Sequence, residues 1–159
     1  MRKFMAALAL LTMACGGGDQ AAQDQQPAAA PQAATPVAAA TEATGTVHEV
    51  KMLQTADGNY QFQPAELSIK VGDTVRWTNV SGFPHNVAFY ADKIPQGAAD
   101  QLASLMPADG KLGPLLGRLL TQAGETFEVS FVNVPTGSYG YFCVPHEALG
   151  MTASITVAQ

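Results

Sequence analysis

Glu66-Leu-Ser-Ile-Lys-Val71, Gly72-Asp73 and Thr74-Val-Arg-Trp-Thr-Asn79 follow one another without a gap. Two runs rich in strand formers flank a Gly-Asp turn, and in the second run Val75 and Trp77 share one face. Period-two alternation of this kind is the mark of half-buried β-strands. The same grammar extends outward. Val47-His-Glu-Val-Lys-Met-Leu53 alternates, and Asp57-Gly58 marks a turn into Tyr60-Gln-Phe62. His85-Asn-Val-Ala-Phe89, Thr126-Phe-Glu-Val-Ser-Phe131, Gly137-Ser-Tyr-Gly-Tyr-Phe-Cys143 and Thr152-Ala-Ser-Ile-Thr-Val157 complete the set. Seven or eight short strands are enough for two packed sheets, so the expected class is an all-β sandwich.

Residues 90 to 123 break the pattern. Ala98-Ala-Asp-Gln-Leu-Ala-Ser-Leu-Met106 favours a short helix that Pro107 ends, and Leu112 to Leu120 is apolar but interrupted by Gly113, Pro114 and Gly117. This helical insertion near 98–120 is expected to lie against the sandwich, with its leucines used for packing.

The first 45 residues have another character. Arg2 and Lys3 precede an apolar run from Phe4 to Ala14, which reads as a signal peptide over residues 1–14 and is too short for a mature membrane span. Cys15 directly after small Ala14 resembles a bacterial lipoprotein signal, in which Cys15 becomes a lipidated N-terminus. Thr12 stands where that signal usually has leucine, and an ordinary secretory signal cut elsewhere is the alternative. Residues 16 to 44 are Gly, Ala, Gln, Pro and Thr with scattered acids and a single branched aliphatic, Val37, without an aromatic residue. Such a segment buries too little apolar area to offset its ordering entropy, so 15–45 reads as an anchor and flexible linker before a domain at 46–159.

The 159 residues carry a net charge of −5, and removal of Arg2 and Lys3 makes the remainder more acidic. An acidic chain without a basic stripe is a poor partner for nucleic acid. The two cysteines, Cys15 and Cys143, each have a separate explanation, and no disulfide framework is visible.

Chemistry concentrates in Tyr141-Phe-Cys143-Val-Pro-His146-Glu-Ala-Leu-Gly-Met151. Thiol, imidazole and thioether fall in one nine-residue loop between two expected strands, spaced Cys-x2-His-x4-Met. His85, after Gly82-Phe83-Pro84 and before Asn86, is the natural second imidazole. A thiolate and two imidazoles with a weak axial methionine form a donor set for copper in both valence states. A lone cysteine is usually a small hydrophobe, a lone histidine such as His48 is usually surface or core, and methionines such as Met52 and Met106 usually fill gaps. Joint spacing singles out His85, Cys143, His146 and Met151. Zinc is the rival metal, but its sites rarely use methionine and structural ones usually recruit more than one cysteine.

With these residues the chain resembles a plastocyanin-type cupredoxin over nearly all of 60 to 157. Phe62 to Asn79 is similar to that family's opening strands. Gly82-Phe-Pro-His-Asn86 with Ile94-Pro95 is similar to its first ligand segment, and Leu119 to Phe127 and Gly137 to Cys143 to its later part. The resemblance implies a Greek-key cupredoxin sandwich and a type 1 blue-copper electron carrier. It also implies a docking face of Gly82, Phe83, Pro84 and Leu149 around the edge of His146. Asn86 would tie the two ligand segments together, its backbone N–H reaching the Cys143 sulfur. Three positions depart from plant-like members: Phe142 precedes the cysteine in place of tyrosine, Val144 follows it in place of a hydroxyl residue, and Tyr90-Ala-Asp-Lys-Ile94 is nearly neutral. Those departures bear on a photosynthetic role, not on fold or copper.

The expected function is therefore single-electron transfer between exported or membrane-bound redox partners, from a periplasmic or cell-surface position. A single-domain copper enzyme would need a further metal site or an open coordination position, and only His48 is spare. Copper storage or delivery is the alternative reading, although Met- or His-rich clusters are absent from the sequence.

Overall fold

Alternation of apolar side chains produces eight strands in a computed structural model that describes residues 45–159. The readings placed on 1–14 and on the linker up to residue 44 lie outside the described residues. One sheet runs β2 (Tyr60–Gln63), β1 (Val47–Gln54), β4 (Thr74–Asn79), β6 (Thr126–Ser130). The other runs β3 (Glu66–Lys70), β8 (Thr152–Ala158), β7 (Gly137–Phe142), β5 (Ala88–Phe89). Each sheet is mixed: β1 pairs β4 in parallel and β3 pairs β8 in parallel, while the remaining ladders are antiparallel.

The inward residues of the strands are the ones that alternation selects. Val50 and Met52, Phe62, Ile69, Val75 and Trp77, Phe127 and Val129, Tyr139 and Tyr141, and Ile155 and Val157 all lie buried between the sheets. Seven aromatic rings dominate the interior, with Trp77 edge-on to Phe89 and to Tyr141 and Phe62 edge-on to Tyr141. Edge-to-face contact of this kind adds about 0.5–1.5 kcal/mol per pair beyond area burial. The result is a stiff floor under the end of the sandwich where β7 terminates.

The segment at 85–89 departs from expectation. Only Ala88–Phe89 belongs to a sheet, because His85 pairs instead with Leu120 of the insertion. His85 N–H donates to the Leu120 carbonyl at 2.9 Å and Leu120 N–H returns to the His85 carbonyl at 2.7 Å. The helix α1 (Ala99–Leu105) forms as expected and stops before Pro107, with Leu102 and Met106 in the core. Leu120 is buried as well, but Leu112 and Leu119 face solvent, so the leucines of the insertion are not all packing residues.

Opposite the β7 terminus, Asp73 closes the other end of the sandwich. Gly72, at φ +96°, makes the turn that aims this carboxylate back at the chain. It accepts the Lys70 N–H at 2.9 Å, the Thr46 N–H at 2.8 Å and His48 Nε2 at 2.8 Å. His48 is thus a partner of Asp73 rather than an isolated surface histidine. The hydrogen bonds, that from Lys70 foremost, hold the Asp73 pKa below its ordinary value of 3.8. A carboxylate with a depressed folded-state pKa stabilises fully above its unfolded pKa and loses that contribution as pH falls. Asp73→Asn is therefore expected to cost about 1–3 kcal/mol in urea unfolding at neutral pH. The gap to wild type should close as pH falls below about 4; a gap independent of pH would contradict the assignment.

Candidate metal centre

Two chain segments meet where β7 ends. Cys143 follows β7 directly, and Val144–Leu149 then forms a short 3₁₀ helix that carries His146. Gly150 ends it in the left-handed region, φ 86°, which returns the chain toward β8 and places Met151 immediately before that strand. Backbone bonds fasten the loop to itself: His146 N–H to the Cys143 carbonyl at 3.0 Å, Met151 N–H to the His146 carbonyl at 3.1 Å, and Cys143 N–H to the Met151 carbonyl at 3.1 Å.

The second segment brings His85. Asn79, fully buried at the end of β4, donates through Nδ2 to the carbonyls of Phe83 at 2.7 Å and Leu120 at 3.1 Å, and accepts the Gly82 N–H at 3.0 Å. That one amide shapes the turn before His85. Sequence reasoning gave Asn79 no role, although an Asn ending a strand just before a Gly-Pro-containing turn was a usable signal. Asn86 then joins the two segments, its Oδ1 accepting the Val144 N–H at 2.9 Å. The backbone N–H groups of Asn86 and His146 donate toward the Cys143 sulfur. The hydroxyl that Val144 lacks is therefore not needed for this link.

All four expected residues come to this one end. The ligand atoms of His85, Cys143 and His146 lie within 4.8 Å of one another, and Met151 is buried beside them in the chain-fastened loop. His85 Nδ1 stands 3.6 Å from Cys143 Sγ, and His146 Nδ1 stands 3.4 Å from it. The His85 Nε2 is held at 3.0 Å by the Ser81 hydroxyl. Burial, and then the neighbouring His146, push the His85 pKa down to about 4, while burial lowers that of His146. Both rings are accordingly neutral near pH 7, with lone pairs free to bind a cation. Burial raises the Cys143 thiol, against the two N–H donors, so a metal ion must displace its proton on binding.

Around the cluster the surface is apolar. Phe83 is 45 % exposed and Leu149 63 %, with Gly82 and Pro84 also open to solvent. His146 itself keeps only 8 % of its surface, because the Tyr60 ring lies flat on it with centroids 3.7 Å apart and planes at 10°. The sequence reading had treated Tyr60 only as a strand residue.

The donor chemistry suits copper: one buried sulfur, two neutral imidazoles and a thioether, with softness for Cu(I) and nitrogen for Cu(II). The four residues stand in the arrangement of a type 1 copper site. The family model for copper binding proteins of the plastocyanin/azurin family matches residues 48–158. Plastocyanin of Scenedesmus fuscus is 39% identical over 100 residues, which are 63% of this chain and 89% of that protein. Plastocyanin of Capsella bursa-pastoris is 37% identical over 106 residues, covering 67% of this chain and 96% of the relative. Among solved structures, the oxidised form of plastocyanin from Dryopteris crassirhizoma superposes with a TM-score of 0.53 at 26% identity, covering 70% of this chain and all of that one.

Proposed function

Because the chain belongs to the plastocyanin/azurin family of copper-binding proteins, we propose that it is a blue-copper electron carrier. On this reading His85, Cys143, His146 and Met151 hold the metal. The observation that carries it is the buried cluster itself, in which one sulfur and two neutral imidazoles face one another from segments locked by hydrogen bonds. Bound copper supplies a one-electron Cu(I)/Cu(II) couple. The chain's own part is to keep four donors in one geometry for both valences. Ser81 orients His85, Asn86 fixes the loop, and the aromatic core beneath resists relaxation. Little then has to move when an electron arrives or leaves.

Electron transfer is favoured over catalysis by what else the described residues offer. Among them, His85, Cys143 and His146 are the one cluster of metal-binding type, and His48 is engaged with Asp73 at the far end. The docking face for redox partners is the apolar ground of Gly82, Phe83, Pro84 and Leu149. It carries no charged residue of its own, so association there rests on apolar contact and responds weakly to salt.

We further read residues 1–14 as an export signal, Cys15 as a lipidated anchor and 15–45 as the tether of the 46–159 domain, which makes the protein an exported, membrane-tethered lipoprotein. The support for this layout is the sequence pattern of residues 1–45, and the register of β1 on β4, Val47 opposite Thr74 and Met52 opposite Asn79, says only where the domain's first strand begins. The chain enters at the Asp73 end, and the metal cluster sits at the Asn79 end.

Two experiments test these readings. Residues 46–159 with one equivalent of Cu(II) should give an intense blue band that ascorbate bleaches and that never forms in Cys143→Ser. A pale product, or binding indifferent to Cys143, would end the blue-copper assignment. In a bacterial host, the full chain should take up labelled fatty acid and sediment with membranes, and Cys15→Ser should do neither; equal behaviour of the two would remove the anchor.

A further inference from the structure

The two histidines of the cluster are held by different means. His85 has its outer nitrogen on the Ser81 hydroxyl, the arrangement by which a ligand histidine is commonly oriented. His146 has no hydrogen-bond partner for its outer nitrogen among the described residues. What lies against its ring is Tyr60, stacked at 3.7 Å and 10°.

We infer that Tyr60 is a positioning residue for His146, setting the imidazole plane by ring stacking where a hydrogen bond is missing. The inference rests on the copper reading for its purpose, since an oriented His146 is what a metal requires. Tyr60 is suited to the task because it belongs to the sandwich and not to the loop it steadies. It begins β2, where it pairs with Gln54 of β1. Its own ring is fixed by Phe83, edge-on at 6.0 Å, and by His85 at 5.9 Å. The stack thereby ties the 3₁₀ loop to the opposite sheet, a link that no backbone bond of the loop provides. Turning His146 about its Cβ–Cγ bond would break ring contact over the whole face, so the stack favours a single orientation.

The test uses the domain with and without copper. In the metal-free wild type, nuclear Overhauser contacts between the Tyr60 and His146 rings and upfield-shifted His146 ring protons are expected. Their absence would overturn the inference without recourse to any variant. Tyr60→Phe keeps a stacking face and should preserve the shifts, whereas Tyr60→Leu should lose them while His85 resonances stay in place. In the loaded protein, removal of Cu(I) by bicinchoninate should run roughly three- to tenfold faster in Tyr60→Leu than in wild type or Tyr60→Phe. Equal rates across all three, or a Phe variant that behaves like Leu, would overturn the role. Failure of the wild type to form a blue band counts against copper instead, and the metal-free ring contacts then decide the clamp by themselves.

Discussion

Asn86 and Val144, 58 residues apart, are joined by a hydrogen bond from the Val144 N–H to the Asn86 side chain, and together with the β5–β7 ladder it closes the metal cluster. His85 arrives from the β4 side and Cys143 and His146 from the β7 side. The β5–β7 ladder, with Ala88 opposite Phe142, brings the two segments side by side, but His85 itself lies outside both sheets and needs a further hold. The Asn86 amide and the His85–Leu120 backbone pair provide the closure. Once those segments are locked, a thiol and two imidazoles share a buried space, and their pKa shifts follow from that burial.

The remainder of the sandwich serves to keep this closure stiff. Cys143 is covalently continuous with β7, whose Tyr139 and Tyr141 are sunk in the aromatic core. A close-packed interior transmits strain rather than absorbing it, so donors mounted on its rim keep their spacing. Preorganisation of that kind suits a centre that changes charge but not shape. It also explains why so much of the polar machinery, Asn79, Ser81 and Asn86, consists of short side chains bonded to neighbouring backbone or ring nitrogen.

Much of this was legible in the sequence. The run Glu66 to Asn79 gave its two strands almost to the residue, because alternation and a Gly-Asp turn are local properties. The four cluster residues were legible because three of them lie in one loop and the fourth sits in a distinctive Gly-Phe-Pro-His-Asn context. What escaped depends on contacts across the chain. Tyr60 stacks on a histidine 86 positions away, and no periodicity announces such a pairing. His85 read as strand by composition, yet Leu120 claims its backbone. Leu112 and Leu119 read as core by hydropathy, yet the glycines and proline around them turn the chain so that they face solvent.

X-ray absorption at the copper edge, recorded on one sample in both valence states, tests the central claim most directly. A centre held rigid by its protein should show one short sulfur and two imidazole nitrogens in each state, with bond lengths that barely change on reduction. Loss of the sulfur or of an imidazole in either state, or a large change in coordination between them, would contradict the account.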